Sequence, residues 1–324
     1  MIEVVKFGIV PLVAVLLTES MYRDDLYKQS LEDIPNMQEL TKLKSFFNTV
    51  VALGSPPITI LFYVVSFNLM PKPAVLYLWS AMAFCHFLGN SLKSLYSEDR
   101  PYWVNDSIVG ASCQVTFGNP SGLMLYNVFF WLSIYLHAYN EVGVRQPRMS
   151  VFCTAYIIKM AMTCVGISFL IFMGFSRAYL GVGAYNEVLF GTILGATLAL
   201  VGHFKVKPLF LSMPESLYND SAGSKYGVGC LSYIKAIVLG LVLPWIVSCI
   251  VLGMVTDRAF HHSHEFKIRQ IHAGCTESRV EDFGHSFHYR HFEESGVISI
   301  IAGAFCGQWF EYQMFINTGL MNGS

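Results

Sequence analysis

Three short polar stretches decide how this chain folds. They are Lys93-Ser-Leu-Tyr-Ser-Glu-Asp-Arg100-Pro101-Tyr-Trp103, Asn119-Pro-Ser-Gly122, and Ser176-Arg177-Ala-Tyr-Leu-Gly-Val-Gly183-Ala-Tyr-Asn-Glu187. Each lies at the end of a long apolar run. In an eight-span arrangement Lys93 closes the third span, Ser121 opens the fourth and Ser176 closes the fifth. All three stretches then share one face of the membrane. Lys93, Arg100 and Arg177 can converge there with the backbone N–H groups of Ser121 and Gly122. Free N–H groups at a helix start, two guanidinium forks and an ammonium together suit a phosphate.

Composition supplies the membrane. Of 324 residues, 54% are apolar and only 13% are charged, with a mean hydropathy of +0.48. A soluble domain carries about 25% charged residues, so this chain lacks the charge to cover a water-facing surface. A net charge of -1 argues against nucleic acid as a partner. Most of the eight cysteines sit in apolar runs, as small hydrophobes do, and no CxxC pair exists.

A helix crosses a bilayer with about 20 apolar residues. Candidate spans are Phe46–Met70, Ala74–Leu95, Gly122–Tyr139, Val151–Phe175, Val188–Phe204, Ile234–Met254 and Gly296–Phe315, with a shorter apolar stretch at Val5–Leu17 that reads as a short span, an interfacial helix or a signal peptide. Thr18–Lys44 is polar with helical spacing of Leu31, Met37, Leu40 and Leu43, and is expected to be an amphipathic helix on the membrane. The chain divides into residues 1–45 (short span and amphipathic helix), 46–204 (core) and 205–324 (two spans joined by a His-rich loop, 256–294). Gly191/Gly195 and Gly303/Gly307 have the spacing that lets helix backbones approach closely. That spacing serves packing within one bundle or a dimer face.

The three stretches resemble the type 2 phosphatidic acid phosphatase superfamily, whose pattern is K-x6-R-P, P-S-G-H and S-R-x5-H-x3-D. Lys93, Arg100 and Pro101 match the first part. Pro120, Ser121 and Gly122 match the second, and Ser176 and Arg177 match the third. The wording is similar to the glucose-6-phosphatase-like branch. The resemblance covers roughly residues 46–204. It implies an all-α, polytopic integral membrane bundle of seven or eight transmembrane helices around a phosphate site.

The resemblance also implies roles that this chain has lost. In the family, the histidine of the third part is the nucleophile, and its position here is Gly183. The histidine of the second part protonates the leaving oxygen, and its position here is Leu123. The carboxylate that orients the nucleophile falls at Glu187. Covalent phosphoryl transfer needs both a nucleophile and an acid. The anion-binding set is kept: Lys93, Arg100, Ser121, Gly122, Ser176 and Arg177. The expectation is a pseudophosphatase that binds a phosphate or phospholipid headgroup, or a structural subunit of a membrane complex. In a purely structural version the cations pair with Glu98, Asp99 or Glu187.

Two alternatives use other residues. An active lipid- or sugar-phosphate hydrolase would need another histidine. His86, His137 and His203 lie deep or at opposite helix ends, so the source would be the loop that carries seven of the ten histidines. Within that loop, Cys275, His285, His288 and His291 are weak zinc candidates, because their spacing is not that of a standard finger. A small-solute carrier would be built on Lys159, a mid-span charge with Glu311 as its candidate partner. Asn105-Asp-Ser107 and Asn219-Asp-Ser221 are glycosylation sequons on opposite sides. No cofactor is implied. The partners expected are a phosphate-bearing ligand, the membrane and other membrane-protein subunits. Endoplasmic reticulum, plasma membrane and mitochondrial inner membrane all fit.

Overall fold

The computed structural model describes residues 2–39, 43–55, 58, 61, 62, 65, 72–111, 117–144 and 149–208. The described residues are helical throughout, apart from turns and short connections. Helix α1 runs Ile2–Gln38, α2 Lys44–Leu53, α3 Lys72–Tyr96 and α4 Pro101–Val104. Helix α5 runs Gly122–Val144, α6 Met149–Tyr179 and α7 Tyr185–Val201, and α7 continues into a π-helical turn at Gly202–Val206.

Among the described residues, two helical stretches are long and apolar enough to cross a membrane, Lys159–Tyr179 and Tyr185–Val206, each with mean hydropathy 1.6. They bury different amounts of themselves, 17% of the first and 44% of the second. The difference leaves α6 the more exposed of these two helices. Its outward residues Ile157, Val165, Ile167, Ile171 and Phe175 are all more than half exposed. An apolar face of that size is at home against lipid and costly against water.

The centre of the bundle is the contact between α5 and α7. Gly191 and Gly195 make it possible. A Cβ on Gly191 would lie 2.6 Å from the Ser121 carbonyl oxygen, and one on Gly195 would lie 2.6 Å from the Leu125 carbonyl oxygen. The pair therefore serves packing within one bundle. Leu125, Phe190 and Leu194 fill the space beside this seam, with Leu92 of α3. Met124 and Val128 pack on the other side, with Val50 of α2 and Met173 of α6.

Two expectations change here. Phe46–Met70 is not one continuous helix, because α2 ends at Leu53 in a turn through Gly54 and Ser55. Pro56 and Pro57 follow in the sequence and cannot donate backbone hydrogen bonds. The Gly54 carbonyl is instead capped by the Asn127 side chain at 2.9 Å. Val5–Leu17 and the polar segment after it as far as Gln38 are one unbroken helix, α1, and Lys44 belongs to α2. Its Leu31, Ile34 and Met37 stripe packs on Tyr102, Trp103, Tyr179 and Val182. The spans Ile234–Met254 and Gly296–Phe315, the Gly303/Gly307 pair, Glu311 and the second sequon lie outside the described residues.

Candidate functional site

Lys93 lies in the last turn of α3. Its ammonium nitrogen is 3.1 Å from the point that a Cβ on Gly122 would occupy. Gly122 opens α5, so the cation sits over a helix N-terminus because that residue has no side chain. Arg100 caps the short helix α4, with Pro101 in its first turn. Arg177 is in the last turn of α6. The two guanidiniums meet at one oxygen. Arg100 Nη1 donates to the Val182 carbonyl, and Arg177 Nη2 donates to the same carbonyl at 3.1 Å. Arg100 Nη2 also donates to the Phe117 carbonyl at 3.2 Å. Both arginines are buried, at 1% and 5% exposure. Desolvating two like charges is costly unless opposite charge and acceptors surround them.

The opposite charge is Glu187, which is fully buried. The charges that act on it most strongly are Arg100, Glu98 and Arg177. Its carboxylate lies between two glycines. A Cβ on Gly183 would stand 3.3 Å from Glu187 Oε2 and 3.6 Å from Arg177 Nε. A Cβ on Gly118 would overlap the Glu187 carboxylate outright. Position 183 thus points between the guanidinium and the carboxylate, where a side chain would contact both. Neither Glu187 oxygen makes a complete hydrogen bond, although the Ala184 N–H at the start of α7 lies close enough to stabilise the carboxylate.

Helix α1 and two loops hold this arrangement. Tyr27 donates to the Asp99 carbonyl at 2.8 Å. The Ser30 hydroxyl receives the Tyr185 N–H at 2.8 Å. Gln38 donates to the carbonyls of Val109 and Tyr179 at 2.9 and 3.0 Å, and accepts from the Val109 N–H at 3.0 Å. Gly181 makes that last junction possible. It holds φ at +70°, which favours glycine, and a Cβ there would lie 2.8 Å from the Val109 carbonyl oxygen. An acidic and amide layer lies beside the cations. Asn119 donates to Glu19 at 2.8 Å, and Asn186 donates to Glu98 at 2.7 Å. Burial pushes the Glu98 carboxyl above its ordinary range, against the pull of Asn186, Asn119 and Arg23. Burial also raises the Tyr27 phenol, assisted by the negative charges of Glu187, Glu98 and Asp99.

The structure brings Lys93, Arg100, Arg177, Ser121, Gly122, Gly183 and Glu187 to one end of the bundle. Other expected members behave differently. The Ser121 N–H is engaged, donating to the Glu187 carbonyl at 3.0 Å. The Ser121 hydroxyl is left without a partner. The Ser176 hydroxyl bonds back to the Phe172 carbonyl at 2.6 Å, within its own helix. Leu123 packs against the cluster of Val50, Met124, Val128 and Met173.

Among the remaining candidates, His86 stacks on Tyr126 with ring centroids 3.7 Å apart. His137 and His203 gather at the other end of α5 and α7, where Lys207 Nζ meets His137 Nδ1 at 2.8 Å. The Lys159 ammonium lies 3.8 Å over the Tyr139 ring, a cation–π partner within the bundle. The Asn105 side chain is tied to the Leu31 carbonyl and to Ser107, so a glycan there would have to break these bonds. Cys275, His285, His288 and His291 lie outside the described residues, as does the loop that carries them. Among the described residues no group of three or more metal-ligating side chains comes together.

Geometry and hydropathy together define a helical membrane protein with a buried cationic site where its helices end. The model of the PAP2 superfamily matches residues 74–208. That segment is under half the chain and holds all three motif stretches. Among solved structures, the chain is similar to the first transmembrane PAP2 type phosphatidylglycerolphosphate phosphatase from Bacillus subtilis. The two share 17% identity at a TM-score of 0.48, over 62% of this chain and 96% of that one. No curated protein matches. Helix α1 and Glu19 lie outside the segment that the family model covers, and the sequence reading placed this polar segment on the membrane rather than beside the site. Their one sequence signal was a polar helix with an apolar stripe, which does not name its contacts.

Proposed function

We propose that this chain is a multi-pass membrane pseudophosphatase of the glucose-6-phosphatase-like branch, one that holds a phosphate-bearing ligand and does not hydrolyse it. The observation that supports this most is at Gly183. The position where the family resemblance places the nucleophile opens directly between Arg177 and Glu187, and it carries no side chain. The cations that would hold a phosphoryl group remain, namely Lys93 of α3 over the start of α5, and Arg100 and Arg177 around Val182. No imidazole among the described residues takes the nucleophile's place. His86 is occupied by stacking, and His137 and His203 are at the far end. At the acid's position Leu123 is part of an apolar cluster.

The test is phosphate release from a panel of lipid and sugar phosphates, together with binding of inorganic phosphate. The wild-type chain is compared with Arg177→Lys, which keeps charge but not the fork, and with Gly183→His. Binding without release in the wild type, weakened by Arg177→Lys, is the expected result. Release by the wild type that is lost in Arg177→Lys would overturn the proposal and direct attention to the histidines of residues 256–294.

A further inference from the structure

Unpartnered polar atoms at the buried end of the bundle come in both signs. The donors include Arg177 Nε and the Ser121 hydroxyl. The acceptors include the oxygens of Glu187 and the side-chain oxygens of Asn119 and Asn186, with one oxygen each of Glu19 and Glu98 beside them. Arg177, Ser121, Glu187, Asn119 and Asn186 are all at least nine-tenths buried. Each unmade bond of this kind costs about 1–3 kcal/mol, and buried polar groups in native proteins are nearly always paired. Ordered water or a ligand must satisfy such a cluster, and its mix of donors and acceptors says what chemistry a ligand there would need.

A bare phosphate dianion would serve only half of the cluster. It could accept from Arg177 and Ser121 and offset the cations. It would also bring a second negative charge beside Glu187, which like-charge repulsion disfavours, and would leave the acceptors unserved. Glu187 is not isolated in this. Glu98 lies against Asn186, and Glu19 lies against Asn119, so three carboxylates border the same layer. A primary ammonium offers three N–H donors and a positive charge, where a hydroxyl offers one donor and none.

Resting on the phosphate reading above, we propose that the ligand is a zwitterionic phosphate ester bearing a primary ammonium, and that Glu187 is the residue that sets this preference. The phosphate faces Lys93, Arg100, Arg177 and Ser121. The ammonium faces the Glu187 carboxylate, with the Asn119 and Asn186 side-chain oxygens as its further acceptors.

The experiment uses the full chain, purified in detergent and free of phospholipid, with binding measured by calorimetry. The probes are inorganic phosphate, ethyl phosphate, phosphoethanolamine and phosphocholine, which carries the charge without an N–H. Phosphoethanolamine is expected to bind at least tenfold more tightly than ethyl phosphate or phosphocholine, the scale of one charge-assisted hydrogen bond. In Glu187→Gln the preference should collapse to about threefold or less, while ethyl phosphate binds as well as before or better. A merely structural Glu187 would lower all affinities together. Equal wild-type affinity for phosphoethanolamine and ethyl phosphate would overturn the proposal and leave the phosphate reading standing. Failure of every probe, inorganic phosphate included, would remove both. If Glu187→Gln does not fold, the four-probe comparison on the wild type still decides. Nanodiscs of phosphatidylethanolamine against phosphatidylcholine then identify the source. Suppressed phosphoethanolamine binding in the first alone marks a lipid headgroup, and unchanged binding marks a soluble ester; both uphold the chemistry.

Discussion

Replacing Gly191 by alanine tests the connection between helix packing and the site. The added Cβ would lie 2.6 Å from the Ser121 carbonyl oxygen, 3.3 Å from Met124 Cβ and 3.4 Å from the Leu125 backbone nitrogen. Two of these three neighbours are backbone, which cannot rotate away as a side chain can. Relief requires α5 and α7 to part by roughly 1 Å to reach ordinary van der Waals distance. Overpacking of this kind costs about 1–3 kcal/mol. Glu187 sits one turn before Gly191 on α7, and its carbonyl accepts the Ser121 N–H at 3.0 Å. Parting the helices stretches that bond, adding about 0.5–1.5 kcal/mol. The expected total is about 2–4 kcal/mol, with weaker phosphate binding because Ser121 and Gly122 move off the cations. Reversible unfolding in mixed micelles, followed by tryptophan fluorescence, measures the first quantity. Gly166→Ala in α6 is the control, since a Cβ there meets nothing within 4 Å. It should be neutral or stabilising by under about 1 kcal/mol. If the two variants unfold within about 0.5 kcal/mol of each other, the helices separate freely and the reasoning fails.

Three further predictions follow from the layer around the cations. Gly118→Ala places a methyl where the Glu187 carboxylate lies, so it should destabilise by about 1–3 kcal/mol and disturb ligand binding, read by the same unfolding and calorimetry. Gln38→Ala removes the three hydrogen bonds that join α1 to Val109 and Tyr179. It should cost about 1–3 kcal/mol and raise amide exchange of Val109. Glu98 titrates above its ordinary value when folded, so the folded state holds its proton longer than the unfolded state does. Its contribution to stability is full below the ordinary carboxylate range and is lost as pH rises through the raised folded value. Glu98→Gln should flatten that fall, and an unfolding series from pH 4 upward that keeps the wild-type slope would refute the assignment.

The parts of the site that sequence reading located are those whose chemistry is written in residue type and order. Lys93, Arg100 and Arg177 come from three separate helix ends, and their association followed from which end of each apolar run they occupied. The Gly191/Gly195 spacing signalled a close backbone contact, and only the fold shows that its partner is α5 of the same bundle. The parts that stayed hidden depend on long-range contacts. Nothing in the local pattern around Gly118 marks it as the place for the Glu187 carboxylate, 69 positions away. The Leu31 and Met37 stripe was legible as an apolar face. A lipid surface and a protein surface give the same periodicity, so the identity of the layer it covers was not. The apolar run Phe46–Met70 hid the turn at Gly54, because hydropathy does not register backbone geometry.

Helix α1 bears on how this protein should be divided for study. The segment that the PAP2 model matches begins at residue 74, and a fragment cut there would look complete by its motifs. It would lack the donor for the Asp99 carbonyl, the acceptor for the Tyr185 N–H, and Glu19, to which Asn119 donates. Ile34 would no longer cover Tyr102 and Trp103. The smallest piece able to stand as a physical unit is thus larger than the piece that sequence comparison outlines. Chimeras that exchange residues 74–208 with a relative would test the foreign core against this chain's own N-terminal helix, so a failed exchange would report on that interface before it reported on the motifs.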